Sequence, residues 1–163
     1  MKFEHLIEIN DPLNPLTAVL TRSQLWRGLV RRAEQPEDFM LGLDSCRIIE
    51  RRSNELLREL SFGPVIIRDR VRYESGDVVH YRTEFPPELA GAVLTMRIEE
   101  PQPGHLFVRF HYDHPGADLE TVEAEGSAAE AVANVRRSAY TRADIDTIKT
   151  IRRYAHEGLL HDA

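Results

Sequence analysis

Asp69 is a carboxylate where the pattern around it asks for an aliphatic side chain. It falls in the series Val65, Ile67, Asp69, Val71, Tyr73, while the residues between carry the charges Arg68, Arg70 and Arg72. On a strand, alternate positions share one face, so Asp69 points with the apolar residues. The same anomaly recurs elsewhere. Tyr81 and Thr83 stand between Val79 and Phe85, His5 stands between Phe3 and Ile7, and Tyr112 continues the series Leu106, Val108, Phe110. In a dry core an unpaired hydroxyl or imidazole costs about 1–3 kcal/mol, and an unpaired carboxylate more. Two arrangements remove that cost. The groups pair with one another, His5 with Asp69 for instance, or they face a cavity that admits water or the polar part of a ligand.

If a reaction occurs, Asp69 or His5 is the candidate proton acceptor, because apolar surroundings move a carboxyl toward the working range of a base. Tyr73, Tyr81 or Tyr112 would then donate a hydrogen bond to a carbonyl. No spacing enforces that arrangement. A metal centre is not expected: His111 and His114, three apart on a strand, point to opposite faces, and His156 and His161 sit at or beyond a helix end. No cofactor motif is present. The lone Cys46 has no second thiol to bond, and a reducing cytoplasm is the default. Arg68, Arg70 and Arg72 read as a solvated sheet face paired across strands with residues such as Glu59 or Glu84.

The elements that position these residues follow from periodicity. The first is a strand: MKFEHLIEIN alternates Phe3, His5, Ile7 and Ile9 with charged residues, and its glutamates speak against a signal peptide. Thr21 to Gln24 has capping-box spacing, Leu20 and Leu25 have that of a hydrophobic staple, and Leu25, Trp26, Leu29, Val30 and Ala33 make one helical face. Pro36 opens a second short helix, predicted to run to Leu41 and stop at Gly42. Six strands follow, near 45–52, 55–62, 65–74, 77–85, 91–99 and 105–114, with turn residues between them. After an acidic connector from His114 to Gly126, Ser127 to Glu130 forms another capping box. No proline or glycine then interrupts the chain before Gly158. The apolar stripe of that last helix changes phase: Val132, Val135 and Ala139 lie nearly opposite Ile145, Ile148, Ile151, Ala155 and Leu159. Either Thr141 to Asp144 caps a fresh helix there, or one continuous helix has two different surroundings; continuity is the expectation.

With 163 residues and 42% apolar content, the chain reads as one ordinary domain, 1–163. No stretch approaches the ~18 apolar residues of a membrane span. A net charge of −6 argues against nucleic acid as a partner. Oligomeric state is not legible.

Strand, two short helices, six strands and one long helix is an order that resembles the START and pathogenesis-related-allergen superfamily (SRPBCC). MKFEHLIEIN, TRSQLWRGLVRRAEQP, RIEEPQPGHLFVRFHY and IDTIKTIRR are similar in particular to a bacterial AtaL-like subgroup of unknown function. The resemblance covers essentially the whole chain. It implies an α+β helix-grip fold: a seven-stranded antiparallel curved sheet, two short helices, and a long C-terminal helix enclosing an apolar cavity. The plant allergens' glycine-rich loop between the second and third strands is absent here, where Arg51-Arg52-Ser53-Asn54 stands instead, so nothing tied to that loop carries over.

Together these readings point to a cytoplasmic binding protein for a hydrophobic or aromatic small molecule. The expected wall is Phe3, Ile7, Trp26, Ile67, Asp69, Val71, Tyr73, Tyr81, Thr83, Phe85, Leu94, Met96, Val108, Phe110, Tyr112 and Tyr140, with Val132, Val135 and Ala139 bordering it from the helix. The alternative is an aromatase/cyclase-like or hydratase enzyme working through Asp69, His5 and the tyrosines. A third possibility is a protein-interaction module that uses the outer sheet face or the surroundings of Trp26.

Overall fold

The computed structural model describes residues 1–115 and 127–160; of 127–129 it describes the backbone alone. The connector residues 116–126, the side chains of the Ser127 capping box and His161 therefore lie outside the described residues.

Seven strands form one sheet: β1 (Lys2–Glu8), β2 (Ser45–Arg51), β3 (Glu55–Phe62), β4 (Val65–Glu74), β5 (Val78–Phe85), β6 (Val93–Gln102) and β7 (His105–Asp113). Their order is β1-β7-β6-β5-β4-β3-β2, with every pairing antiparallel. Tight turns explain this meander, since only antiparallel neighbours can be joined so directly. Between β4 and β5, Ser75 and Gly76 both take left-handed backbone (φ 55 and 70), as a close hairpin with matched twist requires.

Helix α1 (Arg22–Glu34) starts where its sequence signal places it. The Thr21 side chain accepts from the Gln24 amide, and the Gln24 side chain accepts from the Thr21 amide. The expected helix Pro36 to Leu41 is shorter, a single 3-10 turn, Pro36–Asp38. Gln35 offers no side-chain cap, and so few residues cannot offset the cost of nucleating an α-helix. Helix α2 (Ser127–His156) runs unbroken through Tyr140.

The sheet and both helices enclose the core. Leu25, Leu29 and Ala33 of α1 and Ile148, Ile151 and Tyr154 of α2 meet Leu56, Val71, Val79, Met96, Val108 and Phe110 from the strands. Gly28 is what lets the helices approach: a Cβ there would lie 2.5 Å from Ile151 Cγ2. The phase change along α2 has a different meaning from the expected one. Its C-terminal half packs on the core, but Val132, Val135 and Ala139 are exposed to solvent rather than facing a cavity.

On the outer face two of the three arginines, Arg68 and Arg70, are paired as their cross-strand positions suggest. Arg68 donates to Glu59 at 3.2 Å, and Arg70 donates to Glu84 at 2.7 Å and Glu55 at 3.3 Å. Among the described residues, no helix is long and apolar enough to cross a membrane.

Candidate functional site

The inward positions of β3 and β4 carry opposite charges. Arg58 sits between Leu56 and Leu60 exactly as Asp69 sits between Ile67 and Val71, and the two residues are registered across the strand pair. Arg58 Nε and Nη2 donate to the two Asp69 oxygens at 2.8 and 2.5 Å, while Nη1 donates to the Ala33 carbonyl at 2.8 Å. Arg58 is 1% exposed. Its partner carboxylate holds its pKa above the ordinary arginine value, although burial works against that charge.

A second arginine comes from α1. Arg32 lies a turn beyond Leu29, on the buried face of the helix, and Nε donates to the Thr147 hydroxyl at 3.3 Å. The guanidinium carbons of Arg32 and Arg58 lie 5.1 and 5.2 Å from the centroid of the Tyr81 ring. The Tyr81 hydroxyl is buried and has no hydrogen-bond partner among the described residues.

The other polar group joins β1, β7 and α2. Asp144 is wholly buried, its Oδ2 lies 2.6 Å from His5 Nε2, and its Oδ1 accepts the Tyr112 hydroxyl. Burial pushes the Asp144 carboxyl above its ordinary range, against the hydrogen bonds from Tyr112 and His5, which favour the ionised form. The Tyr112 hydroxyl is pushed up as well, by burial first and then by the neighbouring carboxylate. Around this group the rings gather: Tyr112 stacks on Tyr140 with centroids 4.0 Å apart, and Phe3 stacks on Tyr140 at 5.9 Å and on His5 at 5.7 Å.

Between the two groups lies a cavity of about 210 Å³ that opens to solvent. Arg32, Arg58, Asp69, Tyr81, Thr83, Tyr112 and Tyr140 give it polar and aromatic surface, and Met40, Ala92, Val93 and Leu94 line the rest, with Asp113 and His114 at one end. Of the expected wall, then, Asp69, Tyr81, Thr83, Leu94, Tyr112 and Tyr140 border this space. Val71, Met96, Val108 and Phe110 are fully buried in the core, and Phe3, Ile7 and Ile67 are half-buried outside the lining. Trp26 packs edge-on against Tyr73 at 6.0 Å, away from the lining, and the Tyr73 hydroxyl donates to Glu34 at 3.4 Å.

Phe85 departs from its expected inward position. Thr83 is registered with Asp69 but Phe85, not Glu84, is registered with Arg68, so β5 carries an extra residue and the alternation of faces shifts. Phe85 is 39% exposed, beneath the outward guanidinium of Arg68 at 5.0 Å. The expected pairing of His5 with Asp69 is also not made: each has another partner. As proton acceptors both candidates are constrained. Asp69 borders the cavity with its two oxygens held by one guanidinium, and His5 is bound to Asp144 outside the lining.

Arg58, Arg32 and Asp144 are the site residues that strand and helix patterns had not singled out. Each carried a signal: Arg58 the same period-two position as Asp69, Arg32 the spacing of Leu25 and Leu29, and Asp144 the spacing of Tyr140, Ile148 and Ile151. Cys46 is half-buried, and burial pushes its thiol up, away from nucleophilic use. Among the described residues, no group of three or more His, Cys, Asp or Glu side chains is placed to hold a metal ion.

Comparison with known proteins gives a family and a fold. A family model described as AtaL, acetylaranotin biosynthesis cluster protein L, matches residues 7–158. No curated protein matches the chain. Among solved structures it is similar to the di-domain ARO/CYC StfQ from the steffimycin biosynthetic pathway, at 14% identity and a TM-score of 0.67 over 96% of this chain and 51% of that one. It is also similar to the Zhui aromatase/cyclase from Streptomyces sp. R1128, at 14% identity and a TM-score of 0.60 over 95% of each chain. Ara h 8.0201 matches at 11% identity and a TM-score of 0.54 over 94% of this chain and 98% of that one. The chain spans about half the length of the di-domain proteins. At such identities the likeness is one of fold.

Proposed function

The chain belongs to the AtaL family, within the START/SRPBCC superfamily, and on that premise we propose that it holds a small hydrophobic or aromatic molecule in the cavity between sheet and helices. The observation that carries this reading is the polar lining. The pocket sets Arg32, Arg58, Asp69 and Thr83 among Met40, Ala92, Val93, Leu94 and the rings of Tyr81, Tyr112 and Tyr140, and Arg32 has no carboxylate bonded to it among the described residues. Small-molecule sites have this composition: apolar walls with a few polar groups that fix orientation. A cytoplasmic setting belongs to the same proposal, supported by the single half-buried thiol.

Native mass spectrometry of gently purified protein, followed by displacement of an apolar fluorescent dye, tests the reading. A co-purified small molecule, or a dye that titrates to one saturable site and is displaced by aromatic competitors, is the expected result. A protein that carries nothing and takes up no apolar probe overturns it.

A second reading is an aromatase/cyclase-like or hydratase enzyme. One observation favours it: Tyr112 borders the cavity while its hydroxyl rests on the buried Asp144, so a proton held at Asp144 has a neighbour that reaches the cavity. Its discriminator is Tyr112→Phe. Loss of turnover on an aromatic or polyketide-like substrate, with binding retained, supports the enzyme; unchanged turnover excludes this route.

A further inference from the structure

Arg58 and Arg32 lie against the same tyrosine ring, but they are not alike. Every face of the Arg58 guanidinium is used: two nitrogens by Asp69, one by the Ala33 carbonyl. Arg32 is 8% exposed, donates through Nε to a neutral hydroxyl, and makes no ion pair with a carboxylate among the described residues. The buried Asp144 carboxyl acts on Arg32 only from beyond ion-pair distance, and a buried cation with so distant a counter-charge is costly unless something completes it. Arg32 lines the cavity beside the ring of Tyr81. The cavity thus presents a guanidinium that no carboxylate holds directly; of its two acidic lining residues, Asp69 is held by Arg58 and Asp113 stands with His114.

We infer that the ligand is an aromatic carboxylate, its anionic group received by Arg32 and its ring set against the stacked Tyr112–Tyr140 pair. Guanidinium and carboxylate match in charge and in planar geometry, which a neutral amide or ester cannot reproduce. Volume sets the size class. An apolar cavity of about 150 Å³ holds one benzene, so about 210 Å³ accommodates a one- or two-ring acid. This inference rests on the cavity being the ligand site, and the experiment separates the two.

Benzoate and 2-naphthoate, with benzamide and 2-naphthamide as their neutral counterparts, are titrated by calorimetry near neutral pH into the wild-type protein and into Arg32→Met and Tyr81→Phe. The wild type is expected to prefer acids over amides by about tenfold or more. Arg32→Met should weaken acid binding by about tenfold while leaving amide binding in place, and Tyr81→Phe, which keeps the ring beside the cavity, should leave acid binding within about threefold. Retained amide binding shows that Arg32→Met is folded; if it does not fold, the wild-type preference and the same titration of Arg32→Gln decide. Equal binding of acids and amides by the wild type, or an acid preference that survives Arg32→Met, overturns the inference and leaves the cavity as a neutral aromatic site. Binding of neither class overturns the inference together with the cavity reading.

Discussion

Asp69 and Asp144 are both buried under one sheet, yet the fold compensates them by different chemistry. Asp69 faces Arg58, a group that stays protonated at every pH a protein survives, through a two-pronged ion pair on adjacent strands. Asp144 faces a phenol and an imidazole, one from each of two strands, and its own helix brings it there. The first arrangement is a permanent charge pair whose removal is felt as an unmatched charge. The second is a hydrogen-bonded group in which the carboxyl itself can change state. Rigidity belongs to the β3–β4 end of the cavity, and sensitivity to solution conditions belongs to the β1–β7 end.

The sharpest way to break this contrast is Asp69→Asn. It leaves the Arg58 charge buried without a counter-ion and should cost about 3–5 kcal/mol, read by urea unfolding. Replacing both partners, Arg58→Met with Asp69→Leu, should recover most of that loss, because a matched apolar pair avoids desolvating two ions. A double variant as unstable as the single one would mean that the Arg58 contact with the Ala33 carbonyl matters more than the charge. On the other side, Tyr112→Phe removes one donor from the buried carboxylate and should cost about 1–3 kcal/mol by the same measurement.

The smallest expected effect is one of pH. Because burial raises the Asp144 pKa, the fold favours its protonated form relative to the unfolded chain. That contribution is complete below the ordinary carboxylate pKa of about 4 and is lost as pH rises through the raised folded value. Wild-type stability should therefore fall, relative to Asp144→Asn, as pH climbs above about 4. Parallel stability profiles for the two proteins would remove the distinction between the two carboxylates.

Much of this was legible from periodicity. Strand alternation placed Asp69, Tyr81, Thr83 and Tyr112 on inner faces, because the period of a strand is a local property that neighbours rarely override. What alternation could not show was register. The extra residue in β5 that turns Phe85 outward exists only relative to β4, and the partner of His5 depends on where a distant helix crosses the sheet. Arg58 obeyed the same rule as Asp69; a cation flanked by leucines reads as a surface residue until its counter-ion is found. Asp144 was hidden differently, since Thr141-x-x-Asp144 mimics a helix start within a helix that in fact continues. The outward turn of Val132 and Val135 is a matter of where the helix leaves the sheet, which no local pattern encodes.

Gly28 gives that crossing point its position, and the consequence reaches beyond packing. Only a residue without a side chain allows the two helices to meet so closely over Ile151, and Arg32, one turn further along, reaches Thr147 from that contact. Alanine or serine at position 28 would act as a spacer, lifting the first helix like a shim under a lid and drawing the guanidinium back from the pocket. The width of the chamber is thus adjustable from a residue that is not part of its wall.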